Sequence, residues 1–135
     1  MKLAHEVTWF AAGGLLGFIV DAGIVQLLVD LEHWSPYLAR IPSFLAAASV
    51  TWWWNRSFTF AHRRHLPGGQ EWLRWILVMS AGAVLNYGTY ALTVALFLTV
   101  RHWPALGVAA GSLVAAMLNF SGARTVVFKA SRKTS

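Results

Sequence analysis

The chain has no cysteine, so disulfides, thiolate ligands and cysteine nucleophiles are all excluded. Charge is scarce as well. Charged residues make up 12% of the sequence, against about 25% in soluble domains. Five residues are acidic and eleven are Lys or Arg, for a net charge of +6. There is no nucleophile beside a base, no carboxylate pair, no metal motif and no glycine-rich phosphate loop. Glu6 and Asp21 lie fifteen residues apart, about 22 Å along a helix, and do not act on one bond. The expectation is a protein that is not an enzyme and needs no cofactor or metal. His62 and His65 have chelate spacing, but a basic loop at headgroup level accounts for them. The basic residues sit at the ends of apolar stretches and form no single patch, which argues against nucleic acid as a partner.

What the chain does have is apolar length. It is 57% hydrophobic, with a mean hydropathy of +0.53. Residues 75–100 and 102–123 carry no charge; 7–29 carry only Asp21, and 41–60 only Arg56. About 20 apolar residues in a helix cross a bilayer core. The pattern predicts four transmembrane helices, at about 7–29, 41–60, 73–99 and 105–125, in an all-α membrane protein. The first is read as a retained helix, being longer than a signal h-region and lacking a cleavage site. Pro42 is expected in the first turn of the second helix. Nine Lys and Arg residues (Lys2, Arg56, Arg63, Arg64, Arg74, Arg124, Lys129, Arg132, Lys133) fall on one side, and Arg40 and Arg101 on the other. That bias predicts both termini in the cytoplasm. Trp52, Trp53 and Trp54 fall near the inner interface, where indole rings are favoured.

The apolar chain is also duplicated. Glu6, Gly17, Asp21 and Gly23 recur 65 residues later as Glu71, Gly82, Asn86 and Gly88. Arg56-x-x-x-Phe60 recurs 68 residues later as Arg124-x-x-x-Phe128. The two units are tandem helical hairpins in parallel, related by an axis along the membrane normal. Asp21 is an ionisable group inside a span, which is costly and points to a polar interior or a partner. Its counterpart Asn86 keeps the shape without the charge. Asn55 and Asn119 are polar groups that seek partners across helices. Arg56 and Arg124 present planar donor forks that suit a phosphate, although anchoring at the interface explains their position equally well. Gly13-x-x-x-Gly17 and Gly107-x-x-x-Gly111 allow close helix approach.

These residues resemble the GtrA-like family of small four-helix membrane proteins. The likeness runs over about residues 6–129. It is carried by Phe10-Ala-Ala-Gly-Gly14, Asp21, Asn55-Arg-Ser-Phe-Thr-Phe60, Asn86, and Leu118-Asn-Phe120 through Arg124 to Val127-Phe128. The Trp52–Trp54 run and Ser121-Gly122 depart from the family pattern, and Gly122 is expected to loosen the last helix. The resemblance implies translocation of polyprenyl-phosphate-linked sugars across the bacterial inner membrane for cell-surface polysaccharide synthesis. The partners it implies are the lipid-linked sugar, membrane lipid and a membrane glycosyltransferase. With that ligand in view, Arg56 and Arg124 are expected to take the phosphate, while Asp21, Asn86 and Asn119 line the sugar path, and Asn55 is counted with them as a substrate-binding residue. Two other readings stay open: a scaffold that recruits a glycosyltransferase without transporting, and a small multidrug exporter. Four helices enclose little volume, so a homo-oligomer or a partner is expected around a large substrate.

Overall fold

A computed structural model describes residues 2–63 and 65–130. Every regular element among them is helical, in the order α1 (Lys2–Asp30), α2 (Pro36–Trp54), α3 (Gly68–Leu96), α4 (Leu98–His102) and α5 (Pro104–Gly122). The chain α1, α3 and α5, the last continued to Val127, gives three helices long and apolar enough to cross a membrane. Large apolar side chains such as Leu15, Phe18, Val84, Leu96 and Leu113 are exposed along them, as a lipid-facing belt requires. The protein is therefore a multi-pass membrane protein. The expected second span does not join these three by composition: α2 carries Pro36, Tyr37, Arg40, Pro42 and three tryptophans, all of low hydropathy.

The elements form two antiparallel hairpins, α1 with α2 and α3 with α5. Both hairpins turn over at one end, and the loop between them lies at the other. Arg56, Arg63, Arg74, Arg124 and Lys129 gather at that second end, called here the basic end. Arg64, Arg132 and Lys133, counted in the same set by sequence, lie outside the described residues. The first hairpin turn uses His33 at φ 55°, a left-handed conformation uncommon outside glycine and asparagine. Ser35 then caps α2, its hydroxyl accepting from the Tyr37 N–H at 3.3 Å. Pro36 takes the first helical position, where a missing N–H costs little, so Pro42 lies inside the helix and not in its first turn.

The third expected helix, 73–99, breaks at Phe97, which is extended at φ −117° and ψ 118°. Arg101 from the following turn donates to the Val94 and Ala95 carbonyls at 3.4 and 3.1 Å. Those carbonyls are among the acceptors that a helix end leaves unsatisfied. α2 and α5 each end in one π-helical turn, Asn55–Thr59 and Ala123–Val127. In both, the N–H of the repeated phenylalanine bonds five residues back: Phe60 to Asn55 O at 2.8 Å and Phe128 to Ala123 O at 2.7 Å. Phe60 and Phe128 then stack on each other, ring centroids 5.2 Å apart, at the junction of the hairpins. Phe10, Trp75, Ala123 and Val127 complete the packing around them.

Within each hairpin, close approach depends on glycines placed reciprocally. A Cβ on Gly13 would strike the Trp54 ring, and one on Gly122 would strike Val78 Cγ1. Gly13 and Val78 are repeat counterparts, as are Trp54 and Gly122. The small partner is on the first helix in one hairpin and on the second helix in the other. Gly122 thus makes room for Val78 and is a packing residue, not a loosening one. Gly122→Val is expected to lower stability by about 1–3 kcal/mol through overpacking, and Val78→Gly added to it to recover part of that loss. Thermal unfolding in detergent of the two variants checks this; equal melting of single and double variants refutes the packing assignment.

Candidate functional site

The two repeated glutamates are fully buried, and the hairpins exchange partners across them. Glu71, in the first turn of α3, takes the Arg56 Nη1 of the other hairpin at 2.7 Å. It also accepts from Trp52 Nε1 at 3.1 Å and the Leu66 N–H at 2.9 Å, with His65 Nδ1 at 3.5 Å. Glu6, on α1, takes Arg124 Nε of the other hairpin at 2.7 Å. Arg63 Nε donates to it at 2.9 Å, and His62 Nε2 lies 3.2 Å away. His62 and His65 therefore serve different carboxylates. Each repeat's acid is neutralised by the other repeat's arginine. A buried carboxylate without such a partner is strongly disfavoured. Each arginine also lies over an aromatic ring at the counterpart position: Arg56 over Trp52 at 5.8 Å and Arg124 over Phe120 at 5.6 Å.

Beyond this end the hairpins enclose a cleft. Its main part, about 380 Å³, is lined by Asp21, Arg40 and Thr51 of the first hairpin and Gly82, Asn86 and Asn119 of the second. A second lobe of about 250 Å³ shares Asn86 and Asn119 and reaches Asn55. A third, about 330 Å³, continues past Arg40 and Asn86 to Tyr87 and Tyr90. The main volume lies within the ~300–1,000 Å³ range of small-molecule sites. Asp21 Oδ2 accepts from Arg40 Nη1 at 2.8 Å. Among the described residues, Asp21 Oδ1 and Asn119 Oδ1 are buried acceptors with no hydrogen-bond partner. Asn55 donates to the Thr51 carbonyl at 2.7 Å, and its own Oδ1 is likewise unpartnered. The cleft thus offers one charged pair and the side chains of Asn86 and Asn119 within apolar walls, with the unpartnered oxygens packed behind its surface.

The repeat explains how these groups reach the cleft. Gly17 lies against the Thr51 side chain and Gly82 against that of Asn119; Thr51 and Asn119 are counterparts. Asn86 packs on Gly111, so the Gly107-x-x-x-Gly111 stripe serves contact within the second hairpin. The charged pair has no copy, because Asn86 stands where Asp21 is repeated and Val108 where Arg40 is.

The structure therefore brings Asp21, Asn55, Asn86 and Asn119 to one cleft. Arg56 and Arg124 are separate from it, each held on a glutamate at the basic end. Sequence reasoning passed over Arg40, Glu6, Glu71 and Arg63. Arg40 carried a signal as one of only two basic residues on its side, opposite the one intramembrane acid. The glutamates carried one too: an acid and an arginine repeated together.

Residues 9–134 match the family described as GtrA/DPMS, transmembrane domain. No curated protein matches the chain.

Breaking either crossed pair strands a buried charge. Arg56→Ala is expected to destabilise the fold by roughly 2 kcal/mol or more, less than a fully buried pair because the arginine is one-third exposed. Arg56→Ala combined with Glu71→Ala should be less damaging than the two single losses summed. A double-mutant cycle on unfolding midpoints tests this, and strict additivity counts against the pairing.

Proposed function

The chain belongs to the GtrA/DPMS transmembrane-domain family, whose members are membrane proteins linked to glycosyl-lipid biosynthesis; on that premise we propose that it carries a polyprenyl-phosphate-linked sugar across the bacterial inner membrane for cell-surface polysaccharide synthesis. In this reading all four long helices span. α2 with its π turn covers Pro36–Thr59, about 36 Å of helix, which suffices when its polar residues face the other hairpin. The termini are cytoplasmic, set by the positive charge of the basic end.

The observation that carries the proposal is the cleft, with the Asp21–Arg40 pair on one wall and Asn86 and Asn119 on the other. Sugar hydroxyls donate to carboxylate and amide oxygens and accept from guanidinium and amide N–H groups, while a polyprenyl tail stays in lipid beside the exposed apolar belt. Asp21, held by Arg40, binds one face of the sugar, and Asn86 and Asn119 bind the other. Carriage by binding and release calls for no nucleophile, so the chain is proposed as a transporter and not an enzyme. A membrane glycosyltransferase that loads the lipid is its partner, and a second copy of the chain enlarges the path for larger heads.

The test is translocation of a labelled polyprenyl-phosphate sugar in liposomes containing the purified protein. Protein-dependent crossing is expected, with Asp21→Asn slowing it about tenfold or more, the worth of a charged hydrogen bond of about 1.5–3 kcal/mol. Failure of the folded protein to move any of several sugars sinks the proposal. A normal rate with Asp21→Asn sinks the assignment of Asp21, and a bound glycosyltransferase in the absence of crossing favours the scaffold reading.

A further inference from the structure

The two crossed glutamates are not equivalent in charge. Glu71 faces one arginine, Arg56, whose Nη1 serves both Glu71 Oε1 and the Leu66 carbonyl, so that pair is balanced one to one. Glu6 faces two guanidiniums, Arg63 and Arg124. One negative charge against two positive gives the Glu6 cluster an excess cation, which the pair of Glu71 and Arg56 lacks.

The excess has a place to act. Arg63, Arg124, Thr125, Lys129 and Ala130 line a cavity of about 410 Å³ at the basic end, with no acidic residue in its wall. Arg124 Nε lies 2.7 Å from Glu6 Oε2 as an ion pair, and Arg63 turns Nε and Nη2 to the same carboxylate. Among the described residues no carboxylate meets the two terminal nitrogens of Arg124, Arg63 Nη1 or the Lys129 ammonium. Thr125 donates its own hydroxyl back to the Ser121 carbonyl at 2.7 Å and so presents an acceptor, not a donor. Both guanidinium planes are fixed from behind by Glu6. Each also rests on a ring, Arg63 over Phe60 at 5.7 Å and Arg124 over Phe120 at 5.6 Å. Paired donor forks held in place, with a lysine beside them, are suited to a phosphate group.

We propose that Arg63, Arg124 and Lys129 form one phosphate-binding site at the basic end, on the Glu6 side only, and that Arg56 takes no part in it. The site replaces the symmetric pair Arg56 and Arg124 expected from the repeat. Its existence follows from the charge imbalance; the choice of a prenyl phosphate as its occupant rests on the lipid-carrier reading above.

The experiment measures binding of farnesyl phosphate by titration calorimetry to the full chain in phosphatidylcholine nanodiscs, with farnesol and inorganic phosphate as companions. Saturable binding of farnesyl phosphate is expected, and none of farnesol at the same site. Lys129→Glu, an exposed change that leaves the Glu6 pairs intact, should weaken binding about tenfold or more, given ~1 kcal/mol per basic residue near a charged surface and reversal of one such charge. Arg74→Gln, at the same end but outside the cavity, should change it less than about twofold. Equal binding by wild type and Lys129→Glu overturns the site, as does farnesol binding as tightly as its phosphate. Displacement by phosphatidylglycerol supports a phosphate site occupied by bulk headgroups; resistance to it supports the prenyl carrier. Binding lost in Lys129→Glu alongside no transport by wild type leaves the site standing and fails the carrier reading. Transport by wild type with binding unaffected in the variant does the reverse.

Discussion

Two glutamates with no exposure to solvent are the most costly groups in a bundle this apolar, and their neutralisation decides how the hairpins meet. Neither hairpin neutralises its own acid with its own terminal arginine. Glu6 goes to Arg124 and Glu71 to Arg56, so each pair pulls one hairpin onto the other. The rest of the junction follows from where those pairs must lie. The π turns bring Phe60 and Phe128 face to face between them, and Trp75 and Phe10 close the remaining space. Ion pairs of this kind add little net stability over apolar packing, but they penalise every arrangement that leaves one of them unmade. The crossing therefore acts mainly by specifying register between hairpins.

Much of this architecture was legible in the sequence. Charge-free runs gave the helical membrane class, and the repeated residues gave two hairpins and the family. Asp21, Asn86 and Asn119 stood out because polar groups are rare in those runs, and the structure places them around one cleft. The limits were equally physical. Positions along a helix do not state which neighbour a side chain faces, so Glu6 and Glu71 read as markers of the repeat and not as partners of the opposite arginines. Arg56 and Arg124 looked free for a ligand because their carboxylates lay far off in sequence. Gly122 looked like a weak point because its value lies in Val78, on another helix. The break at Phe97 had no glycine or proline to announce it; Arg101 supports it from the next turn.

The duplication is also imperfect where it matters most. At the junction, acid, arginine, ring and π turn are kept in both halves. In the cleft, Asp21 with Arg40 stands opposite Asn86 with Val108, so both charges of the pair are absent together and neither counterpart position holds a lone charge. Symmetry is retained where it holds the bundle together and abandoned where the walls face the space between the hairpins. A cleft with unlike walls presents an asymmetric ligand with one preferred orientation, which two equal walls would not do.

The crossed pairs also set an order of assembly. Synthesis runs from α1 to α5, so Glu71 enters the membrane when Arg56 is already made. Glu6 is the first of these groups to be inserted, and Arg124 is the last. Through most of synthesis the opening helix carries a carboxylate whose cross-hairpin partner does not yet exist, with Arg63 in the connecting loop its nearest available cation. Until α5 and its π turn are made, that charge is only half answered.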